Sequence, residues 1–402
     1  MSDRRSRPLA GFTLAAIALV LLASSAPTPI YALLRERYGI SVFDQSVLFV
    51  SHTTGVLVSL FGFRRLVERL TDRYHALIAG TVLCLVGALV FAAATGFPMA
   101  LGGRMTIGIG GGLISGSATA ALMAIWGPAS YRRAALLVTI AITAGSAVGP
   151  AVTGFFLAAD LAPTRAPFLV SAAAALVVLL GLVFSPRPPA QPRPAKLAPS
   201  AVTGTSMSLG RLIGTYGTGV GLSWACLGSV LTLSPNVALD VFGFDTATVA
   251  AYAIAAAQVT AGVFQILGTT GTPRISFVCG MIVQASGLAT LVLSVVLVSP
   301  LLAGAGLLLM SAGYGLAFVG AAATVNQFAP PHRLVSATSF FYLLAYGGNF
   351  TPLAIAAYAD AAGLAPAIAV SFTVICCLQL AVAGLGLANL RHGEIVPAGR
   401  LA

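Results

Sequence analysis

An all-α integral membrane protein, with twelve transmembrane helices in two pseudo-symmetric six-helix halves, is the fold class this sequence predicts. Three observations predict it. Apolar residues make up 58% of the chain and charged residues only 8%, about a third of the charge a soluble protein carries. The apolar residues gather into twelve stretches of about 20 residues, each long enough to cross a bilayer as a helix. Landmarks in the first six stretches return in the second six at a nearly constant offset. A mean hydropathy of +0.97 means that lipid is the solvent for most of the surface.

The predicted spans are 9–34, 43–63, 76–95, 99–126, 134–158, 166–184, 211–233, 247–268, 275–297, 300–327, 335–358 and 366–390. Helices are required, because an open strand in hydrocarbon leaves its peptide groups unpaired. The net charge of +11 could suggest a nucleic-acid binder, but its placement excludes that class. Arg4, Arg5, Arg7, Arg64, Arg65, Arg132, Arg133, Lys196, Arg274, Arg333 and Arg391 fall on one side of the twelve-span arrangement. The other side holds Arg35, Arg37 and Arg165 against Glu36, Asp44, Asp160, Asp240, Asp245 and Asp360. This asymmetry places both termini in the cytoplasm, with the basic side facing anionic lipid.

Span 1 ends in SSAPTPIYALL, where Pro27 and Pro29 kink the helix and nearby serines and Thr28 can take up the freed carbonyls. The basic start and the ASSA run resemble a signal peptide. Pro27 and the apolar run to Leu34 instead favour a retained helix. Span 2 carries His52, with Ser59 seven residues on and so on the same face. A histidine inside a span titrates near neutral pH, which makes His52 the leading proton-coupling residue, with Asp44 at the span's edge as an alternative. The loop after span 2 contains RLTDR, including Asp72 and Arg73.

Span 4 reads LGGRMTIGIGGG, with Arg104 about six residues inside. A permanent charge there is costly unless it faces the bundle interior or a wet cavity. Span 5 contains GSAVGPAVTG. Glycines at helix-turn spacing cost a soluble helix about 1 kcal/mol each, but in lipid they let backbones pack closely. The segment 186–209 is proline-rich, basic and non-periodic, a cytoplasmic linker between halves 1–185 and 210–402.

Four landmarks carry the repeat. The pair YGIS (Tyr38 to Ser41) and FGFD (Phe242 to Asp245) gives an offset of 204. Pro29 with Pro235 gives 206, Gly108 with Gly313 gives 205, and Gly145 with Pro150 against Gly347 with Pro352 gives 202. In the second half, polar residues fall on helix faces: Gln258 and Gln265 in span 8; Tyr314 in span 10; Thr338, Tyr342, Tyr346 and Asn349 in span 11; Tyr216, Ser223 and Trp224 in span 7. Lipid would penalise such stripes, so they are expected to face protein or water.

Several of these motifs resemble the major facilitator superfamily over essentially the whole chain. Leu70, Asp72 and Arg73 match its loop signature after helix 2, although Glu68 replaces the first glycine and the trailing Gly-Arg-Arg is missing. Arg104, Gly108 and Gly110 match its fourth-helix pattern R-x-x-x-G-x-G. Gly145, Gly149, Pro150 and Gly154 match the fifth-helix pattern of the antiporter-type branch. The resemblance implies alternating access, with Asp72 and Arg73 as a conformational latch and Asp72 docking at the start of helix 11. It also implies Gly108, Gly110, Gly145, Gly149, Pro150 and Gly154 as hinge and packing positions.

The function expected is a secondary active transporter of a small organic solute in a bacterial cytoplasmic membrane, with proton-coupled efflux preferred over an importer or an uncoupled facilitator. Arg104, His52, Gln258, Gln265, Tyr314, Tyr342, Tyr346, Asn349, Tyr216 and Trp224 are the expected cavity residues. The partners are the solute, protons and the bilayer, and a monomer is expected. No metal or cofactor is called for. The five cysteines lack zinc-finger spacing, and the lone lysine, Lys196, excludes a P-loop and a buried Schiff base. The scattered histidines and peripheral carboxylates offer no catalytic constellation.

Overall fold

The computed structural model describes residues 7–62, 73–126, 131–186, 207–244, 247–330 and 333–393. These residues form helices and connecting turns, with no strand among them, and twelve helices are long and apolar enough to cross a membrane. They are α1 (Pro8–Tyr38), α2 (Val42–Gly62), α3 (Tyr74–Ala92), α4 (Phe97–Trp126), α5 (Arg133–Ala158) and α6 (Ala166–Phe184), followed by α7 (Leu209–Val241), α8 (Thr248–Gly268), α9 (Pro273–Val296), α10 (Pro300–Phe328), α11 (Ser336–Ala362) and α12 (Leu364–Leu390). Each begins and ends within a few residues of its predicted span except α1, α7 and α11.

Hydropathy stops at Leu34 because Arg35, Glu36 and Arg37 follow, but the helix does not stop there. It runs on to Gly39, whose φ of 61° closes it as a left-handed cap, with its N–H donating to the carbonyls of Arg35 and Glu36. Arg35 and Arg37 in this last turn complement the negative end of the helix dipole. Similarly, α7 continues through Pro235 into a wide turn over Val237–Val241. Gly243 then takes a φ of 68°. These two glycines belong to the YGIS and FGFD landmarks, so that sequence match marks two chain reversals of the same kind. Helix α11 breaks after Gly348 and resumes at Thr351, just before Pro352, which has no N–H to give.

The chain divides into two compact units. The first holds Met1–Ala198 together with Ser229–Gly262 and Pro352–Ala367; the second holds Pro199–Gly228, Val263–Thr351 and Ile368–Ala402. This division follows packing rather than the repeat, and it assigns parts of α7, α8 and α11 and the first turn of α12 to the first unit.

Within the first unit, α3 and α4 meet along Gly80, Gly87, Gly103 and Gly110. A Cβ on any of them would strike the opposite backbone at 2.5–2.9 Å. Gly55 and Gly108 do the same for α2 against α4, and Gly145 and Gly149 for α5 against α1. In the second unit α9 and α10 repeat the α3–α4 seam with Gly280, Gly287, Gly306 and Gly313, and Gly348 of α11 sits on the backbone of Gly221 and Ala225 in α7.

This packing corrects two of the sequence landmarks. Gly313 packs on Gln284 as Gly110 packs on Cys84, so its counterpart is Gly110, not Gly108. Gly348 meets Gly221 O and Ala225 N as Gly149 meets Leu22 O and Ala26 N. It is therefore the counterpart of Gly149, while Gly347 faces open space. Composition could not separate adjacent glycines; only the partner backbone does.

Candidate substrate site

The costliest group in the first unit is Arg104, 1% exposed in α4. Its Nε donates to Leu48 O of α2 at 2.9 Å, and one terminal nitrogen donates to Ser24 O of α1 at 2.9 Å. The guanidinium carbon lies 5.5 Å from the ring centroid of Tyr31 and 5.8 Å from that of Phe49, within cation–π range. Among the described residues no carboxylate pairs with it. A guanidinium is weakly hydrated and offers five donors, so it tolerates such a site better than lysine would.

The break in α1 supplies its partners. Ser24 lies in the last turn of the helical segment Arg7–Ser25, where carbonyls lack onward helical donors. Ile30 N bonds to Pro27 O in a tight turn, which leaves Ala26 O to accept from Thr153 Oγ1 of α5 at 2.8 Å. The sequence assigned these freed carbonyls to local serines and Thr28, yet α4 and α5 satisfy both. Beside Arg104, the ring of His52 lies against Gly111. Tyr31 OH, His52 Nδ1 and, two turns along α2, Ser59 Oγ are buried and find no hydrogen-bond partner among the described residues.

Asp44 does not enter this cluster. Its carboxylate accepts from Ser41 N and Ser41 Oγ at 3.3 and 3.1 Å while Ser41 Oγ accepts from Asp44 N, a capping box that holds the start of α2. The neighbouring Gln45, fully buried, donates from Nε2 to Thr232 O at 2.8 Å and accepts from Asn236 Nδ2 at 3.1 Å. Sequence reasoning missed both amides. Each sits within a turn of a more conspicuous residue, Asp44 or Pro235, and 191 residues separate the pair.

In the second unit an aromatic cluster joins α7, α10 and α11. Trp224 meets Tyr346 edge-on at 5.2 Å and Phe318 at 6.2 Å; Phe318 stacks on Tyr314 at 6.0 Å and reaches Phe341 at 6.2 Å. Tyr342 adjoins Phe341 at 5.3 Å. Trp224 Nε1 is buried without a hydrogen-bond partner among the described residues.

Twelve apolar helices, a buried cation in the fourth and glycine seams at corresponding places in both units are the features of a transporter. The Major Facilitator Superfamily model matches residues 13–352. The chain belongs to the Major Facilitator Superfamily. No curated protein matches it in sequence. Among solved structures, this superfamily member is similar to a bacterial homolog of the human lysosomal transporter Spinster, described as inward-facing and unoccupied. The TM-score is 0.77 at 13% identity, over 99% of this chain and 100% of that one. A D-xylose–proton symporter gives 0.75 at 15% identity, over 95% and 97%, and a POT family transporter in complex with a thioalcohol-conjugated peptide gives 0.73 at 12% identity, over 96% of each. At these identities the likeness concerns the fold. The superfamily member is a multi-pass membrane transporter and not an enzyme.

Against the sequence expectations, the structure brings Arg104 and His52 into one cluster and Trp224, Tyr314, Tyr342 and Tyr346 into another. The predicted α7 stripe divides. Tyr216 and Ser223 are seven residues apart and share the face toward α9, where Tyr216 is fully buried 4.8 Å from Phe277 and Ser223 Oγ donates to Gln284 Oε1 at 2.7 Å. Trp224 lies about 100° further round the helix. Tyr216 is thus packed in the core of the second unit beside Phe277. Gln258 belongs to the first unit, with its Oε1 buried and unpartnered among the described residues, while Gln265 belongs to the second. Asn349 caps the first segment of α11.

Of the hinge positions, Pro150 lies inside α5, and Gly154 packs against Ala251 and Tyr252 of α8. Arg73 opens the helix that contains α3, and Asp72 lies outside the described residues. A further network went unforeseen. Gln284 of α9 and Gln379 of α12, each the single glutamine of its helix, are fully buried and bonded at 2.9 Å. Their isolation in apolar runs was the available signal.

Proposed function

We propose that this superfamily member is a secondary active transporter that moves a small organic solute across a bacterial cytoplasmic membrane by alternating access of its six-helix halves 1–185 and 210–402. Efflux coupled to proton entry is the preferred direction, and a monomer suffices. One observation carries the site assignment: Arg104 is a buried cation held by two carbonyls and two ring faces, with no carboxylate to balance it among the described residues. An anionic group on the solute, or a relay partner during the cycle, would supply the missing charge. His52, whose Nδ1 is buried and unpartnered among the described residues, is the proposed proton carrier, and the Trp224–Tyr346 cluster is the proposed aromatic contact for the solute.

A second reading, an importer or uncoupled facilitator, is favoured by a specific feature. Among the described residues the carboxylates Glu36, Asp44, Asp240 and Asp360 lie at helix ends and Asp160 in the turn after α5, so none of these is available at mid-membrane for proton exchange. Transport of a solute panel into vesicles with an imposed pH gradient separates the two. On the coupled reading, flux of the transported solute follows the gradient in the wild type, and His52→Ala abolishes the gradient dependence while sparing solute exchange at equal pH. Flux that ignores the gradient in both proteins selects the facilitator. Arg104→Ala is expected to lower transport of an anionic solute about tenfold to a hundredfold, the loss of one charge-assisted contact.

A further inference from the structure

Among the described residues of the second unit, Arg211, Arg274, Arg333 and Arg391 are balanced by no carboxylate. Arg211 and Arg274 stand in the first turns of α7 and α9, and Arg333 precedes the helix that opens α11. Arg391 stands in the last turn of the helix that contains α12, at the same end of the unit. Three of the four cations therefore sit at helix starts, where the dipole is positive and favours an anion. Membrane topology accounts for arginines on this side. It does not account for two donors left without partners there.

The first donor is Arg274. Its guanidinium carbon lies 4.0 Å from the ring centroid of Phe328, and Nη2 donates to Met207 Sδ at 3.8 Å. Its Nε is buried and has no hydrogen-bond partner among the described residues. A thioether is a weak acceptor, so Arg274 lacks the two carbonyls that hold Arg104. Met207 is placed over it by its own N–H, which donates to Phe328 O at 3.0 Å, and its flexible side chain can yield the position. The second donor is Tyr216, fully buried in the wide turn Ile213–Gly217. Its hydroxyl also has no partner among the described residues, with Arg274 and Asn389 as polar neighbours. Asn389 turns its Nδ2 to Thr215 Oγ1 instead, at 3.1 Å. Wide turns of this kind recur at functional sites.

We propose that Arg274 and Tyr216, with the Met207 side chain displaced, form a phosphate-binding site at this end of the second unit, filled by the headgroup of an anionic lipid or by a soluble phosphate.

The chemistry fits that occupant. A guanidinium stacked on a ring presents its N–H edge as a planar fork matched by two phosphate oxygens, and the phenol O–H adds a third donor. Arg211 and Arg333 are exposed, so they raise the local positive potential without being tied to acids of their own unit. The first turns of membrane-spanning helices lie at the level of the lipid phosphates.

The assignment is independent of the transported solute, and thermal unfolding tests it. The purified full-length protein in neutral detergent micelles is titrated with phosphatidylglycerol or, at equal ionic strength, with sodium phosphate, and the ligand-dependent rise of the melting midpoint is read. The wild type is expected to show a saturable rise. Arg274→Gln is expected to need about tenfold to a hundredfold more ligand for half the rise, the loss of one charge-assisted contact. Tyr216→Phe keeps the ring beside Phe277 and is expected to need about fivefold more, the loss of one neutral donor. Arg133→Gln removes a basic side chain of the first unit that lies over Trp126, and it is expected to stay within about twofold of the wild type. A rise with phosphatidylglycerol alone makes the occupant a lipid, and a rise with sodium phosphate makes it a soluble phosphate; either upholds the site. No rise with either ligand, an equal loss in Arg133→Gln, or Tyr216→Phe titrating as the wild type does overturns it.

Discussion

Arg104 poses the question of whether a buried charge serves stability or transport, and the sign of a volume-preserving substitution decides it. Its two carbonyl bonds contribute, but an unbalanced cation in a dry site loses solvation worth several kcal/mol. Replacing it with a similarly long apolar chain removes that deficit. Arg104→Met is therefore expected to leave the melting midpoint unchanged or higher in detergent while transport falls about a hundredfold, and Arg104→Lys to fall about tenfold because one fork of donors is lost. A large drop in the midpoint of Arg104→Met would make the arginine a brace. Trp224 is a parallel case. Its buried Nε1 has no partner among the described residues, so Trp224→Phe forfeits no hydrogen bond to them and is expected to cost about 1 kcal/mol of ring contact. If the indole N–H binds the solute, the apparent KM rises about tenfold at unchanged stability.

At the scale of the helix, the spans were legible almost to the residue, because hydropathy and length are what the bilayer selects. What escaped was wherever a helix is kept for a reason other than apolarity. The charged extension of α1 is held by its Gly39 cap and its dipole, and the α7 extension crosses Pro235. Glycine spacing announced close packing but not the partner, which is why Gly347 was matched to Gly145 although the packing pairs Gly348 with Gly149. That pair gives a sharp test. Gly348→Ala drives a methyl into the backbone of Gly221 and Ala225 and is expected to lower the melting midpoint by several degrees. Gly347→Ala meets nothing within 4 Å and is expected to raise it slightly through helix propensity.

For the whole molecule, fold class and superfamily could be read from twelve spans and two glycine motifs, since those patterns follow from packing helices in lipid. The site was legible in part. Arg104 and His52 stand out because ionisable groups are rare in hydrocarbon, and the tyrosines and Trp224 because they are large. Gln45, Asn236, Gln284 and Gln379 did not stand out. A single amide in a span is unremarkable until another helix brings its partner, and that requires the tertiary fold. Orientation can be checked directly: a reporter enzyme fused at the C-terminus is expected to be active only when confined to the cytoplasm, as the positive-inside rule requires.

The glycine seams carry a consequence for heredity. Every base change that alters a glycine codon's meaning introduces a side chain or a stop, and at Gly80, Gly87, Gly280 and Gly287 any side chain meets an opposing main chain within 3 Å. A saturation library selected for function should therefore show blank columns at these four sites, in paired rows two hundred codons apart, while neighbouring positions drift freely among alanine, valine and leucine.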